Sequence, residues 1–307
     1  MIKSSAAVLM CTYNGAKFLQ QQLESLASQS YGDWALWVSD DGSFDNTSEI
    51  IRKFSTHVRQ PVTWLDGPCQ GFCRNFLSLL SQPQIVADYY FFSDQDDVWH
   101  PDKMRRAIEW LQLQPADQPA LYCSKTRLID EAGQPLGYSP LFSRTPAFAN
   151  AMVQSLAGGN TMAMNDAMRR VLVVLSEGAA LRSHDWWAYI VATAVGAACY
   201  YDSEAFVDYR QHENNQVGSN KGMRAFFSRL QLLFLGEFSD WNKNHIEQLE
   251  RYAHLLTPSA RRQLLLFKKI KTARFASRLF FYLRSPFYRQ TIVGNAGLLL
   301  AVLLRRL

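Results

Sequence analysis

Short apolar runs alternate with amphipathic stretches along the first third of the chain. The apolar runs end at polar or glycine-containing turns, a pattern typical of buried strands. The stretches between them repeat apolar residues every three to four positions, which predicts helices. This alternation predicts an α/β fold, with a mostly parallel sheet flanked by helices. Strands are predicted at residues 6–11, 34–39, 62–65 and 89–93, and helices at 18–26, 46–54, 72–80 and 103–113.

The middle of the chain has a less regular pattern. Prolines spaced through residues 124–150 predict a loop, and the apolar run 188–199 predicts a helix. Asn46 and Glu49, three residues apart, predict a capping pair where one helix begins.

Charge is divided unevenly along the chain. Residues 1–250 hold 20 Lys and Arg against 27 Asp and Glu, whereas residues 251–307 hold 12 Lys and Arg and no acid. In the second segment the basic residues interleave with apolar residues at helical spacing, as in helices that lie on anionic membranes. A helical subdomain with a solvated basic face is the alternative interpretation. The apolar run 292–304 is shorter than the roughly 20 residues that a spanning helix needs.

We therefore predict an α/β domain over residues 1–220 and a helical, basic, membrane-associating region over 221–307. The chain shows no known nucleic-acid-binding module, so we expect no nucleic acid as a partner. The helical pattern of the second region is predicted to begin with Phe226, Phe227, Leu230, Leu233 and Phe234.

Composition narrows the class of protein. A hydrophobic content of 48% over 307 residues excludes a disordered chain. The five cysteines form no CxxC pair and no zinc-ligand spacing, which indicates reduced thiols rather than a disulfide framework. No secretory signal pattern follows Met1, so a cytoplasmic protein is expected.

Three carboxylates crowd the end of the fourth predicted strand. Asp94, Asp96 and Asp97 follow an aromatic run directly, and no basic residue lies beside them in the sequence. Mutual repulsion between the carboxylates predicts a neutralising divalent cation with oxygen ligands, Mn²⁺ or Mg²⁺. An acidic turn before a helix is the alternative.

Polar residues also follow the other predicted strands. Thr12, Tyr13 and Asn14 follow the first strand, and Asp40 and Asp41 follow the second. Ligands of open α/β sheets gather at the carboxyl ends of the strands, so these residues are candidates for nucleotide binding. Each of them alone is more often a turn or cap residue.

Two further segments carry candidate chemistry. Asp185 is flanked by His184 and two tryptophans, Trp186 and Trp187, which predicts a partly apolar pocket that raises the pKa of a general base. Aromatic faces also suit sugar stacking. A simple helix cap is the alternative role for Asp185. Gly159 and the residue after it form either a close substrate contact or an ordinary tight turn.

Four segments occur in an order that resembles family 2 glycosyltransferases. They are Cys-Thr-Tyr-Asn-Gly at 11–15, Ser-Asp-Asp-Gly-Ser-Phe-Asp-Asn-Thr at 39–47, Gly-Phe-Cys-Arg-Asn at 71–75 and Ser-Asp-Gln-Asp-Asp-Val-Trp at 93–99. Gln within the acidic segment and Trp after it are similar to the rhamnosyltransferase-like branch of the family. The resemblance covers about residues 6–218.

The resemblance implies a GT-A fold and assigns roles to residues. Nucleotide-binding residues would be Thr12, Tyr13, Asn14, Asp40, Asp41, Arg74 and Asp94, and metal ligands would be Asp94, Asp96, Asp97 and His212. Asp185 would be the catalytic base. Acceptor or sugar contacts would come from Gly159, Asn160, His184, Trp186, Trp187 and Arg210, the last also a candidate for the diphosphate. Family members usually carry Glu where this chain has His184.

The resemblance further implies inverting transfer of a sugar, with L-rhamnose from dTDP-rhamnose as the best candidate. The acceptor would be a hydroxyl of a bacterial surface glycan, such as a lipid-linked saccharide on the inner face of the cytoplasmic membrane. A sugar nucleotidyltransferase is one alternative, but residues 11–17 lack its Gly-rich, basic loop. A catalytically inactive glycan-binding relative is the other.

Overall fold

A computed structural model describes residues 5–212 and 237–307. The strands of its single sheet are β1 (Ala6–Thr12), β2 (Trp34–Asp40), β3 (Val62–Asp66), β4 (Tyr89–Ser93), β5 (Val98–Trp99), β6 (Ala120–Ile129), β7 (Pro135–Tyr138), β8 (Ala163–Asn165) and β9 (Ala198–Arg210). The helices are α1 (Leu19–Ala27), α2 (Thr47–Ser55), α3 (Phe72–Leu80), α4 (Lys103–Gln112), α5 (Phe148–Ala151), α6 (Asp166–Ser176), α7 (His184–Val195), α8 (Glu237–Arg251), α9 (Pro258–Thr272), α10 (Phe275–Leu283) and α11 (Ile292–Leu303).

The sheet has the strand order β3-β2-β1-β4-β8-β6-β9-β5, with β7 paired to β6. Strands β1 to β4 pair in parallel, β8 runs antiparallel to both its neighbours, and β6 and β9 are again parallel. Parallel strands end at the same edge of a sheet, so the ends of β1, β2 and β4 lie side by side, where α/β proteins bind ligands.

Strand β1 shows why helices cover both faces. Its residues Ala7, Leu9 and Cys11 belong to one buried cluster, and Ala6, Val8 and Met10 belong to another. Side chains of a strand point alternately to its two faces, so a continuous apolar run is a strand buried on both sides. The predicted mostly parallel α/β fold is confirmed.

Three local predictions were wrong. Residues 124–150 are not a loop throughout, because β6 continues to Ile129 and turns back into β7. The apolar run 188–199 is not one helix, because α7 ends at Val195, Gly196 follows with a left-handed φ of 78°, and β9 begins at Ala198. The side chain of Asn46 does not cap α2.

The C-terminal helices share their core with the sheet. Leu264 and Phe267 of α9, and Leu298 of α11, are buried in the same cluster as Leu9 and Phe92. No helix in the described parts of the chain is long and apolar enough to cross a membrane. The helical pattern predicted at Phe226, Phe227, Leu230, Leu233 and Phe234, and the boundary predicted at residue 220, lie outside the described residues.

Candidate active site

Asp40 organises the turn that follows β2. Its Oδ1 accepts hydrogen bonds from Thr12 Oγ1 at 2.7 Å and Ser43 Oγ at 2.6 Å, and its Oδ2 accepts one from the Ser43 amide at 2.8 Å. Thr12 and Asp40 are both buried. The ends of β1 and β2 are therefore locked together, and in this structure Thr12 positions Asp40.

Asp41 holds the loop that leads into α3. Its two carboxylate oxygens accept hydrogen bonds from the amides of Cys69 and Gly71, both at 2.7 Å. Gly71 has a φ of 85°, a conformation that glycine adopts without strain. Arg74 follows in the first turn of α3 and is exposed. The loop thus presents a cation at this edge of the sheet.

An exposed aromatic pair lies beside these carboxylates. The rings of Tyr13 and Phe44 are 55% and 84% exposed and meet edge to face at a centroid distance of 6.5 Å. Asn14 fixes the arrangement, because its Oδ1 accepts a hydrogen bond from the Phe44 amide at 3.0 Å. Gln95 holds Tyr13 through both backbone groups, at 2.9 and 3.0 Å. Sequence reasoning did not select Phe44 or Gln95 as site residues. Phe44 could have been selected, because it is an apolar residue in a polar turn.

Asp97 points into the protein. Its side chain is 0% exposed, and its carboxylate accepts hydrogen bonds from Asn160 Nδ2 at 2.6 Å and the Arg210 amide at 3.3 Å. Burial, and then the charges of Asp96 and Asp94, raise the pKa of Asp97 well above its usual range. Asp97 and Asn160, predicted as a metal ligand and a sugar contact, therefore fasten the acidic segment to its neighbours in this structure.

Arg210 is also buried. Its guanidinium donates hydrogen bonds to the carbonyl of Asp96 at 3.0 Å, the carbonyl of Glu131 at 2.9 Å and Gln21 Oε1 at 2.5 Å. These contacts hold the acidic segment against the end of β6. The sequence predicted that Arg210 contacts a sugar or the diphosphate. In this structure its guanidinium is held in these internal contacts instead.

Lys103 places a cation behind the acidic segment that the sequence did not suggest. It is buried at the start of α4, with Nζ 3.1 Å from the centre of the Trp99 ring and 5.2 Å from that of Phe91. Burial lowers its pKa well below the usual range, and the charges of Asp97 and Asp94 oppose that effect. No basic residue adjoins these carboxylates in the sequence, and the fold brings Lys103 to them.

Asp94, Asp96 and His212 remain on the accessible side. His212 Nε2 lies 2.6 Å from Asp96 Oδ2. Burial, and then the charges of Asp96 and Asp185, raise the pKa of Asp94 to about 8. A short turn links Asp185 to the acidic segment, because the Gly159 amide donates a hydrogen bond to Asp185 and the Asn160 side chain donates one to Asp97.

The donor set fits a hard divalent cation held in an open site. Among the described residues, no three His, Cys, Asp or Glu side chains lie close enough together to hold a metal ion by themselves. Mg²⁺ and related ions are often held by one or two carboxylates, with substrate phosphates and water completing the shell. Asp96, the adjacent His212 and the neighbouring Asp94 match that chemistry.

Asp185 lies in the first turn of α7. Ser183 caps this helix and also contacts the Asp185 carboxylate. The amide of Gly159 donates a hydrogen bond to Asp185 Oδ2 at 3.2 Å, and the Trp186 amide donates one to Oδ1 at 2.7 Å. The carboxylate is thereby fixed in the first turn of α7.

His184 is buried beside the candidate base. Its ring stacks on Phe76 at a centroid distance of 4.1 Å, and neither ring nitrogen has a hydrogen-bond partner in the described structure. Burial lowers the pKa of His184 to about 4, against the opposing charge of Asp185. A Cβ added at Gly159 would overlap His184 Nε2, so the ring and the glycine are matched in shape.

Trp186 and Trp187 do not line an open pocket. Both rings are buried, and their indole N–H groups donate to the Ala151 carbonyl at 2.7 Å and Ser176 Oγ at 3.0 Å. His245 of α8 stacks on Trp187 at 5.5 Å. The expectation that the two rings stack on a sugar was wrong, because α7 turns that face into the core.

The mixed, mostly parallel sheet with flanking helices is the fold of GT-A glycosyltransferases. A sequence model described as "Glycosyl transferase family 2" matches residues 7–168. The chain belongs to glycosyltransferase family 2 and is a nucleotide-sugar glycosyltransferase.

Named relatives and solved structures agree with this assignment. The chain is 30% identical to the dTDP-rhamnosyl transferase RfbG of Shigella flexneri, over 73% of this chain and 78% of that protein. It is 23% identical to the putative teichuronic acid biosynthesis glycosyltransferase TuaG of Bacillus subtilis, over 73% and 85%.

Two solved structures share the fold. The mannosyltransferase PcManGT from Pyrobaculum calidifontis, in complex with GDP-Man and Mn²⁺, matches with a TM-score of 0.54 at 15% identity, covering 100% of this chain and 86% of that one. S. aureus TarS 1–349 in complex with UDP-GlcNAc matches with a TM-score of 0.53 at 15% identity, covering 91% and 89%.

Proposed function

We propose that the protein is a metal-dependent, inverting glycosyltransferase that moves L-rhamnose from dTDP-rhamnose to a hydroxyl of a lipid-linked bacterial surface glycan. The observation that carries the mechanism is a shared turn: the Gly159 amide donates a hydrogen bond to Asp185 Oδ2 at 3.2 Å, and the Asn160 side chain donates one to Asp97 Oδ2 at 2.6 Å. The candidate base therefore lies one short turn away from the acidic strand end. The choice of rhamnose rests on the similarity to RfbG.

The donor nucleotide would bind at the ends of β1 and β2. The exposed rings of Tyr13 and Phe44 offer a face for a base, and the turn held by Asp40 lies beside them. Arg74, exposed at the start of α3, would meet the negative charge of the diphosphate.

Asp94, Asp96 and His212 would hold Mn²⁺ or Mg²⁺. A bound divalent cation would supply charge stabilisation for the departing nucleoside diphosphate. Three residues would act without contacting the substrate, because their contacts keep the acidic segment in place: Asp97, Asn160 and Arg210.

Asp185 would accept the proton of the acceptor hydroxyl. The hydroxyl oxygen then forms a bond to the anomeric carbon, and the bond from that carbon to the diphosphate oxygen breaks. The electron pair leaves with the diphosphate. Attack opposite to the leaving group inverts the anomeric centre, and no sugar is attached to the protein.

The acceptor would be reached at the inner face of the cytoplasmic membrane. The cationic charge of residues 251–307 and the absence of any acid there support contact with anionic lipid. Two relatives have names that fit sugar transfer of this kind. RfbG is named a dTDP-rhamnosyl transferase, and TuaG a putative glycosyltransferase of teichuronic acid biosynthesis.

A donor screen tests the proposal. Purified protein is incubated with Mn²⁺ and, separately, dTDP-rhamnose, UDP-GlcNAc and GDP-mannose, and released nucleotide is identified by chromatography. Slow release of dTDP from dTDP-rhamnose, stimulated by acceptor and abolished by a chelator, is expected. Release of pyrophosphate from a sugar phosphate and a nucleoside triphosphate would instead indicate a nucleotidyltransferase, and binding without turnover an inactive relative.

A further inference from the structure

Helix α11 exposes an apolar side to solvent. Leu298, Ala301 and Val302 are buried against the rest of the protein. On the opposite side Ile292 is 90% exposed and Val293 69% exposed. An exposed isoleucine is unremarkable alone, but an apolar helix with one buried and one exposed apolar side is unusual in a soluble protein.

Helix α10 packs against α11 and also exposes apolar side chains. It is fastened to α11 by Arg278, whose buried guanidinium donates hydrogen bonds to the carbonyls of Ala273 at 2.8 Å and Val302 at 3.2 Å. We define the C-terminal apolar surface as the exposed side chains Phe275, Phe280, Leu283, Ile292, Val293 and Leu300.

The cations of the C-terminal segment divide into two groups. Some make contacts within the protein: Arg278 is buried, the partly exposed Lys268 pairs with Glu250, and the exposed Arg261 donates to the Leu256 carbonyl at 3.0 Å. Others are exposed beside the apolar side chains, and Arg284 lies 4.0 Å from the centre of the Phe280 ring. The total positive charge of residues 251–307 is therefore larger than the charge that is available to a partner.

The exposed arginines flank the apolar surface. Arg274 precedes α10, Arg284 ends it, and Arg305 and Arg306 follow α11; all four are exposed. No acidic residue occurs after Glu250. The surface thus combines exposed apolar side chains with charges of a single sign, which is the combination that the interface of an anionic bilayer accommodates.

We propose that the C-terminal apolar surface docks the enzyme on an anionic lipid bilayer, with Ile292 and Val293 entering the headgroup region. The proposal rests on the proposed function for the lipid-linked acceptor. It assigns docking to α10 and α11, whereas several basic side chains of α9 are held by internal contacts. A nucleic acid would use the arginines but leave the apolar side chains in water.

The test uses the full chain and two kinds of vesicle. One is phosphatidylcholine alone, and the other also contains about 30 mol% of the anionic lipid phosphatidylglycerol. Ile292→Asp with Val293→Asp places two acids in the first turn of α11, where a helix tolerates them. The matched control is Leu113→Asp with Leu136→Asp. Both leucines are exposed and lie in the α/β body, Leu113 directly after α4 and Leu136 in β7. Sedimentation and circular dichroism are measured for each.

The wild type and the control pair should sediment with anionic vesicles at low salt and release as salt rises. The Ile292/Val293 variant should bind at least tenfold more weakly while keeping its melting temperature. Arg284→Gln and Arg306→Gln should each weaken binding about fivefold, the equivalent of about 1 kcal/mol per cation.

Equal vesicle binding by the Ile292/Val293 variant and the wild type would overturn the proposal, as would absence of wild-type binding to anionic vesicles. Concentration-dependent association of the wild type without lipid, lost in the variant, would assign the surface to a second copy of the chain instead. Donor turnover is measured in parallel without lipid. Vesicle binding without turnover counts against the proposed function alone, and turnover without vesicle binding counts against the surface alone.

Discussion

His212 Nε2 lies 2.6 Å from Asp96 Oδ2, although 116 positions separate the two residues. The contact exists because β9 runs parallel to β6 and ends at the same edge of the sheet as β4. Phe18 lies against the His212 ring at a centroid distance of 5.2 Å. The acidic segment and the residues that follow β9 therefore meet at one edge of the sheet.

Loss of either member of this pair should weaken metal-dependent nucleotide binding. Asp96→Asn removes a charged oxygen ligand and should abolish the Mn²⁺ dependence of dTDP binding, whereas His212→Gln should lower affinity at least tenfold. Calorimetric titration of dTDP with and without Mn²⁺ measures both effects.

His100→Gln is the matched control, because His100 Nε2 contacts Asp208 Oδ1 at 2.9 Å in a similar pair outside the acidic segment. Its dTDP titration should match the wild type. Identical Mn²⁺ dependence in Asp96→Asn and the wild type would remove Asp96 from the metal site.

Asp185→Asn tests the base. The amide keeps the size of the side chain but accepts no proton, so turnover should fall by about two to four orders of magnitude while donor affinity is retained. Turnover is followed as dTDP release with acceptor present. Asp166→Asn is the control, since Asp166 also lies in the first turn of a helix. A loss of only a few-fold in Asp185→Asn would assign the proton to another group.

Gly159→Ala should damage both stability and turnover, because the new methyl group would overlap His184 Nε2. Overpacking of this kind costs about 1–3 kcal/mol of unfolding free energy. Gly32→Ala is the control, since nothing lies within 4 Å of a Cβ there. Urea denaturation measures the cost.

A double-mutant cycle isolates the contact between the two residues. His184→Ala removes the ring, so Gly159→Ala should cost much less in that background. Strictly additive effects would mean that the glycine is needed for another reason.

Burial of His245 should make stability depend on pH. Burial lowers the pKa of His245 to about 4, whereas the unfolded chain has the ordinary value near 6.5. Below about pH 6.5 the unfolded state binds the proton and the folded state does not, so stability present at neutral pH is lost as the pH falls toward 4. The loss is about 3 kcal/mol for this histidine.

His245→Phe should flatten the part of the pH–stability curve between about pH 6.5 and 4 that this histidine contributes, as measured by urea denaturation at each pH. His254→Asn, which replaces an exposed histidine, is measured as the control. A curve that keeps its full slope in His245→Phe would mean that His245 is protonated in the folded protein.

The sequence predicts the frame of the site better than the direction of its side chains. The strand ends at Thr12, Asp40 and Ser93 follow from local apolar runs and turn residues, which are visible without tertiary structure. The orientation of Trp187 depends on the distant His245, so a local pattern does not reveal that the ring is buried.

The same reason explains why the carboxylates of the acidic segment differ in their surroundings. Asp97 turns inward because Asn160 and the Arg210 amide meet it there, and both come from far along the chain. Lys103 reaches the segment only because α4 begins beside it. Three adjacent acids look equivalent in sequence, and distant partners decide which of them face the substrate.

The anomeric configuration of the product tests the central claim most directly. The protein is incubated with dTDP-rhamnose, Mn²⁺ and an acceptor whose transfer product can be isolated, and the new linkage is determined by nuclear magnetic resonance. A linkage of opposite configuration to the donor, formed by the wild type and about 100-fold or more slowly by Asp185→Asn, is the predicted result. A linkage that retains the donor configuration would contradict the account, because a single base at Asp185 acting in one displacement cannot produce it.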